Sequence, residues 1–230
     1  MFQASCYMKI TVVIPAHNEA STIGEAVKGA LKHADEVLVV DDGSEDDTSA
    51  RARGAGARVL RHVVKRGQGA ALRTAIRAAR QSGAEIIVTF DADLQQDATE
   101  IPALVAPLKA GLAEIVLGSR FLGRAKNMPA LRRLLLRLAV FFTRITTGLK
   151  ITDTHNGFRA MTASAAERIL ITQDGFAHAS EILSEVARHR LPYREVPVNL
   201  NYSAYSLKKG QKLSGSFKIL FDLLKGDLFR

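Results

Sequence analysis

The feature that most constrains this chain is the alternation of two hydrophobic periods through its first half. Apolar, β-branched runs at Lys9 to Ile14, Glu36 to Val40, Arg58 to Val64, Glu85 to Phe90 and Glu114 to Leu117 read as strands. Between them, Ser21 to His33, Asp47 to Arg53, Gly69 to Gln81 and Thr99 to Ala110 carry helical spacing. Ser21 and Thr99 stand where N-caps belong, and Gly54, Gly83 and Gly111 mark stops. Strands separated by single helices cannot pair as hairpins, so the pattern predicts βαβ units, an α/β class and a Rossmann-like, mostly parallel sheet flanked by helices.

The pattern changes at Gly123. Met128 to Thr147 forms one long helical stretch, with Leu131, Leu134, Leu135, Leu138, Phe142 and Ile145 on one face and Arg133, Arg137 and Arg144 on another. A polar turn from Thr152 to Gly157 follows, then helices near Ala163 to Ile171 and His178 to Arg190, a strand near Tyr193 to Val198, and an amphipathic helix from Ser214. No internal repeat interrupts the chain, and residues 1–230 read as one domain.

At 47% hydrophobic and 24% charged residues, 230 residues bury a sizeable core. The one cysteine, Cys6, excludes a disulfide framework and a cysteine zinc site and fits a reducing compartment. Leu138 to Phe142 is the longest kind of apolar run, far short of the ~20 residues of a spanning helix, and the N-terminus lacks an apolar signal core. The expectation is a chain neither secreted nor integral to a membrane. A net charge of +9 invites a polyanionic partner: nucleic acid, an anionic membrane or a phosphorylated substrate.

In a parallel sheet, ligands bind beyond the carboxyl ends of the strands. Three such ends are unusually polar: Pro15-Ala16-His17-Asn18-Glu19, Asp41-Asp42-Gly43-Ser44 and Asp91-Ala92-Asp93-Leu94-Gln95. One acidic residue there is commonly a turn former; three such ends on one rim point to a ligand. Alternation puts Asp91 and Asp93 on the same side of an extended segment. With the Gln95 amide nearby they are hard oxygen ligands suited to Mg²⁺ or Mn²⁺, with positions left for substrate phosphates.

The turn Lys65-Arg66-Gly67-Gln68-Gly69 opens a helix and allows close backbone approach. It fails as a dinucleotide fingerprint, since Leu72 replaces the third glycine and the turn follows the third strand. Six histidines form no H-E-x-x-H pair, and no G-x-S-x-G elbow is present. Arg73, Arg77 and Arg80 line one helix face, but 6% aromatics and no tryptophan give no stacking platform for nucleic acid. They read as a solvated face.

Taken in order, Ile14 to Glu19, Val39 to Thr48, Arg66 to Leu72, FDADLQQD (Phe90 to Asp97), GSRF (Gly118 to Phe121) and TDTHNGFRAM (Thr152 to Met161) resemble the family-2 inverting glycosyltransferases. The similarity is greatest to the dolichyl-phosphate mannosyltransferase-like branch and spans about Lys9 to Leu213. It implies the glycosyltransferase A fold, with about 1–122 holding nucleotide-sugar and metal and about 123–230 facing acceptor and membrane surface. It further implies that Pro15, Ala16, Glu19, Asp41 and Asp42 hold the nucleotide, with Gly67 and Gly69 lining its pocket. By the same resemblance Asp91, Asp93 and Gln95 hold Mg²⁺ or Mn²⁺, Arg120 sits near the sugar or acceptor phosphate, and Asp153 is a candidate for acceptor activation. Lys208 and Lys209, with Tyr202, Tyr205, Ser206 and Lys212, fall where related enzymes close a basic segment over the donor phosphates.

The branch typically carries an arginine and, one turn later, a serine for the lipid phosphate; here Arg132 is followed by Leu136. The resulting expectation is a metal-dependent transferase moving sugar from a nucleotide-sugar to a polyprenyl-phosphate or glycan/lipid-linked acceptor. It would work in the cytoplasm at the inner face of the membrane, with Met128 to Thr147 as a peripheral contact and Asn201 to Leu213 as a mobile flap. Two rivals are a sugar-nucleotide pyrophosphorylase, whose Gly-rich signature should follow strand one, and a non-catalytic membrane-surface scaffold.

Overall fold

The computed structural model describes residues 7–202. Its strands are β1 (Ile10–Ala16), β2 (Glu36–Asp41), β3 (Arg58–Arg61), β4 (Ile86–Thr89), β5 (Ile115–Lys126), β6 (Arg159–Thr162) and β7 (Tyr193–Asn201). The helices are α1 (Ile23–Leu31), α2 (Thr48–Gly54), α3 (Gln68–Gln81), α4 (Ile101–Lys109), α5 (Ala130–Thr147), α6 (Ala163–Arg168) and α7 (His178–Arg188). All seven strands join one sheet in the order β3-β2-β1-β4-β6-β5-β7. Only β6 runs against its neighbours β4 and β5; the other pairings are parallel.

The period-2 alternation sends successive strand residues to opposite layers. Val12, Ile14, Val37, Val39, Ile86 and Val88 pack with α1, α2 and α4. Val13, Leu38, Val40 and Ile87 pack with α3, α6 and α7. Both faces of the sheet are covered, which is why its strands carry apolar residues at every position rather than at alternate ones.

Five points of the sequence pattern need correction. Strand β3 stops at Arg61, because Val63 and Val64 swing out to 98% and 65% exposure. Strand β5 continues beyond Leu117 to Lys126, since β7 pairs along it past an irregularity between Ser119 and Arg124. Strand β6 had no counterpart in the sequence reading: Arg-Ala-Met-Thr has neither length nor alternation, and only its pairing with β4 and β5 makes it a strand. Ser21 does not cap α1; the Glu19 carbonyl accepts the N–H groups of Thr22 and Ile23, and beyond β4 it is Asp97, not Thr99, that caps a 3-10 turn.

Helix α5 packs against α7 and buries Val140 and Thr143. Its outer face leaves Leu131, Leu134, Leu138, Phe141 and Ile145 each more than half exposed. Leu135 and Phe142, expected on that stripe, are instead half-buried. No helix among the described residues is long and apolar enough to cross a membrane. Lys208, Lys209, the helix from Ser214 and the flap beyond Tyr202 lie outside the described residues.

Candidate active site

The carboxyl ends of β1, β2 and β4 meet on one rim, as the βαβ reading requires. Pro15 and Ala16 close β1, paired with Val40 and Asp41. Glu19 is buried; it accepts from Thr22 Oγ1 at 2.9 Å, and its N–H donates to Thr48 Oγ1 at 2.8 Å. Asn18, with φ of 54°, is stitched to the next turn, its N–H on Ser44 Oγ and its Oδ1 accepting from the Glu45 N–H.

Asp41 is wholly buried and braces its own turn, accepting from the Ser44 N–H at 2.8 Å and from Ser49 Oγ. Asp42 reaches the glycine-rich turn, where it accepts from the N–H groups of Arg66 (2.9 Å) and Gly67 (2.7 Å) and contacts His62 Nδ1 at 2.7 Å. Burial raises the Asp42 carboxyl, but these partners outweigh it and hold it below the usual range. The two expected nucleotide aspartates thus shape the pocket wall.

Gly67 and Gly69 have a different reason to be glycine. A Cβ at either would strike the backbone carbonyls of Gln173 and Asp174. The N–H groups of Gly69 and Ala70 donate to the Asp174 carbonyl, so the N-terminus of α3 is capped by the loop before α7. Arg73 pins the same loop through Asp174 (2.7 Å) and the Ile171 carbonyl (3.0 Å), and Arg80 pairs with Glu167. Arg73 and Arg80 are thus brackets between elements, and of the expected solvated face Arg77 is the exposed member.

Asp91 and Asp93 follow β4. Asp91 Oδ2 accepts from Gln96 Nε2 at 2.6 Å, the Asp91 N–H donates to Gln96 Oε1 at 3.0 Å, and Gln68 Nε2 lies 3.3 Å from Oδ1. Burial and the neighbouring Asp93 charge push the Asp91 carboxyl up to about 7. Asp93 Oδ1 accepts from the Gln95 N–H at 3.1 Å across Leu94, whose φ of 59° is uncommon for a side chain of its size. Among the described residues no three His, Cys, Asp or Glu side chains gather into a closed metal cage. Two oxygen-donor carboxylates that disfavour each other's charge fit a divalent cation that keeps other positions for a ligand.

Gln96, absent from the sequence reading, is the amide that grips Asp91. Its signal was present in the Gln95-Gln96 pair, but alternation alone could not say which side chain turns inward. Gln95 and Gln96 both line an open groove of about 860 Å³ between α1 and the β5–β7 ribbon, flanked by Lys28, Lys32, Arg124 and Lys126.

The second half reaches this rim through Gly157. A Cβ there would lie 2.6 Å from Asp91 Oδ2, so the loop after Asp153 comes directly against the Asp91 side chain. In that loop Asp153 Oδ2 accepts from Arg120 Nε at 2.6 Å and from the Arg120 N–H at 3.0 Å. Arg120 Nη1 donates to Tyr202 Oη (2.7 Å) and Nη2 to the His155 carbonyl (2.5 Å). Asp153 Oδ1 is buried with no hydrogen-bond partner. Arg159 is buried alongside, donating to the carbonyls of Thr154 and Ala179. His155 and His178 are lowered to about 4, chiefly by burial and then, among other influences, by nearby arginine charge.

A model of the family described as glycosyl transferase family 2 matches residues 11–170. An uncharacterized protein of Methanocaldococcus jannaschii is 36% identical over 96% of this chain and 93% of its own length. A UDP-N-acetylglucosamine–dolichyl-phosphate N-acetylglucosaminyltransferase of Methanococcus voltae is 30% identical over 94% of each. Glucosyl-3-phosphoglycerate synthase from Mycobacterium tuberculosis, solved in complex with UDP, superposes with a TM-score of 0.76 at 25% identity, over 99% of this chain and 83% of that one. Another structure of that synthase holds Mn²⁺, UDP and glucosyl-3-phosphoglycerate, with a TM-score of 0.75 at 24% identity over 96% and 81%. The mostly parallel sheet, covered by helices on both faces and carrying an acidic rim, is the glycosyltransferase A fold, and the chain belongs to glycosyltransferase family 2, in its dolichyl-phosphate mannosyltransferase-like branch.

Proposed function

We propose that this glycosyltransferase transfers a sugar, with inversion, from a nucleoside diphosphate sugar to a polyprenyl phosphate at a membrane surface. The observation that carries this reading is Gly157 against Asp91, which brings an acceptor-side loop to the carboxylates that would hold the donor diphosphate. The name of the 30%-identical Methanococcus voltae relative supports the acceptor class.

Asp91 and Asp93 would hold Mg²⁺ or Mn²⁺, with Gln95 beside them. When bound, such an ion neutralises charge on the departing diphosphate, the largest charge that develops as the anomeric carbon is released. Pro15, Ala16 and Glu19 form the nucleotide floor, while Asp41 and Asp42 hold the turns that wall it. Gly67 and Gly69 line that wall, and Lys208 and Lys209 would supply further positive charge from the C-terminal segment. On the other side Arg120, oriented by Asp153, faces the acceptor. A phosphate oxygen is already anionic and attacks the anomeric carbon without a general base, the nucleoside diphosphate leaving from the opposite face.

One observation favours a second reading: Asp153 Oδ1 is a buried carboxylate oxygen with no hydrogen-bond partner. A hydroxyl acceptor would need such a base to take its proton. The intact acidic rim argues against a scaffold, and Pro15 to Glu19, where a pyrophosphorylase carries glycines, argues against that class. The exposed apolar stripe of α5, edged by Arg133, Arg137 and Arg144, supports peripheral attachment to anionic lipid.

The deciding experiment incubates the protein and Mn²⁺ with UDP- and GDP-sugars against polyprenyl phosphate and polyprenol. Sugar appearing on polyprenyl phosphate alone is expected. Transfer only to the hydroxyl compound would replace the first reading by the second, and pyrophosphate-dependent release of nucleoside triphosphate would overturn both.

A further inference from the structure

Arg120 and Asp153 form an ion pair that is almost completely buried, with side-chain exposures of 3% and 1%. Buried pairs of this kind add little stability over well-packed apolar residues, and an orphaned carboxylate oxygen is a further destabilising feature. The pair is nonetheless gripped from both ends by β7 and the residue that follows it. At one end Glu195 accepts from the Thr152 N–H with both oxygens at 2.8 Å, from Thr152 Oγ1 at 3.0 Å and from the Asp153 N–H at 3.2 Å. Ser119 Oγ lies 2.6 Å from Thr152 Oγ1, so that hydroxyl donates to Glu195 while accepting from Ser119. At the other end Tyr202 Oη accepts from Arg120 Nη1, and its buried ring lies 5.0 Å beneath the Arg132 guanidinium of α5.

We infer that Glu195 and Tyr202 are positioning residues of the transfer reaction, fixing the Arg120–Asp153 pair in register with the acceptor. The inference rests on the reading that this pair faces the acceptor. Three strands carry the arrangement. Arg120 comes from β5, Glu195 from β7, and Asp153 from the loop leading into β6. A misplaced guanidinium or carboxylate disturbs attack geometry without touching the donor, so the effect belongs in kcat rather than in the donor KM.

The test uses the full chain, a UDP- or GDP-sugar donor and polyprenyl phosphate in detergent. Tyr202→Phe keeps the ring and its cation contact but removes the hydroxyl; Glu195→Ala removes the grip on the loop, and Glu195→Gln restores part of it. About tenfold or greater loss of kcat is expected in Tyr202→Phe and Glu195→Ala, with donor KM within about twofold and a smaller loss in Glu195→Gln. The double variant should lose less than the product of the two, since both act through one pair. Arg120→Lys and Asp153→Asn test the underlying reading by themselves. If those two are inactive while Tyr202→Phe and Glu195→Ala keep kcat within about twofold, the positioning inference is overturned and the reading stands. If Arg120→Lys and Asp153→Asn turn over normally, both fall. A lower melting temperature with unchanged kcat per folded molecule would assign Glu195 and Tyr202 to stability alone.

Discussion

The two halves of the rim satisfy their polar groups over very different distances along the chain. On the β1–β4 side, Asp41 finds Ser44 and Ser49 within eight residues, and Asp42 finds Arg66 and Gly67 within 25. On the β5–β7 side, Arg120 reaches Asp153 across 33 residues, Glu195 reaches Thr152 across 43, and Tyr202 reaches Arg120 across 82. The first side is a set of strand-end turns, each carried by its own motif. The second is assembled only when distant segments meet, and it buries the guanidiniums of Arg120 and Arg159 where the first side buries the carboxylates of Glu19, Asp41 and Asp42. The proposed donor pocket is therefore built from local pieces, whereas the proposed acceptor side depends on the whole sheet.

The largest expected effect breaks the donor side alone. Asp93→Ala should reduce transfer by about a thousandfold or more while the protein still folds, because it removes a carboxylate proposed to hold the metal at the donor diphosphate. Full activity of that variant, or of the parent in excess chelator, would end the metal role.

The next tests the join between the halves. Gly69→Ala drives a Cβ into the Gln173 carbonyl and should destabilise by about 1–3 kcal/mol, read by chemical denaturation. Gly24→Ala in α1, where nothing lies within 4 Å, should be neutral or stabilise by up to ~1 kcal/mol. Equal effects at the two glycines would mean that the α3 turn does not lock onto the loop before α7.

A smaller effect belongs to the buried side. His178, whose Nδ1 donates to the Gly175 carbonyl, and His155 both titrate near 4 in the fold against 6.5 when free. The unfolded chain binds more protons between those values, so the stability they contribute is present above about 6.5 and is lost as pH falls toward 4. Replacing both with glutamine should flatten the slope of stability over that window by up to about 1.4 kcal/mol per pH unit for each histidine. An unaltered slope would show that neither ring is held neutral.

The smallest change in stability goes with a clear change in binding. Leu138→Glu on the exposed face of α5 should alter folding stability by no more than ~0.5 kcal/mol yet abolish co-sedimentation with anionic vesicles. Vesicle binding that survives in Leu134→Glu/Leu138→Glu would move the membrane contact off this helix.

Residues 10–109 were legible because each element there carries its own period and its own punctuation. The strand ends with Asp41, Asp42, Asp91 and Asp93 could be placed on one rim from the parallel topology alone. Gln96 and Gly157 were not, since neither has a local role that spacing betrays: one turns inward and the other matters only for the carboxylate that it faces.

By itself the sequence determined that this chain forms a mostly parallel sheet flanked by helices with an acidic rim, because hydrophobic period and strand-end chemistry are properties of neighbouring residues. Only the tertiary structure decided that β6 is a strand, that Asp42 holds the glycine-rich turn, that Gly67 and Gly69 make room for a loop, and that Arg120 and Asp153 are buried together. Each of these depends on which distant backbone or charge arrives alongside, and a hydrogen bond spanning 82 residues leaves no period in the chain that makes it.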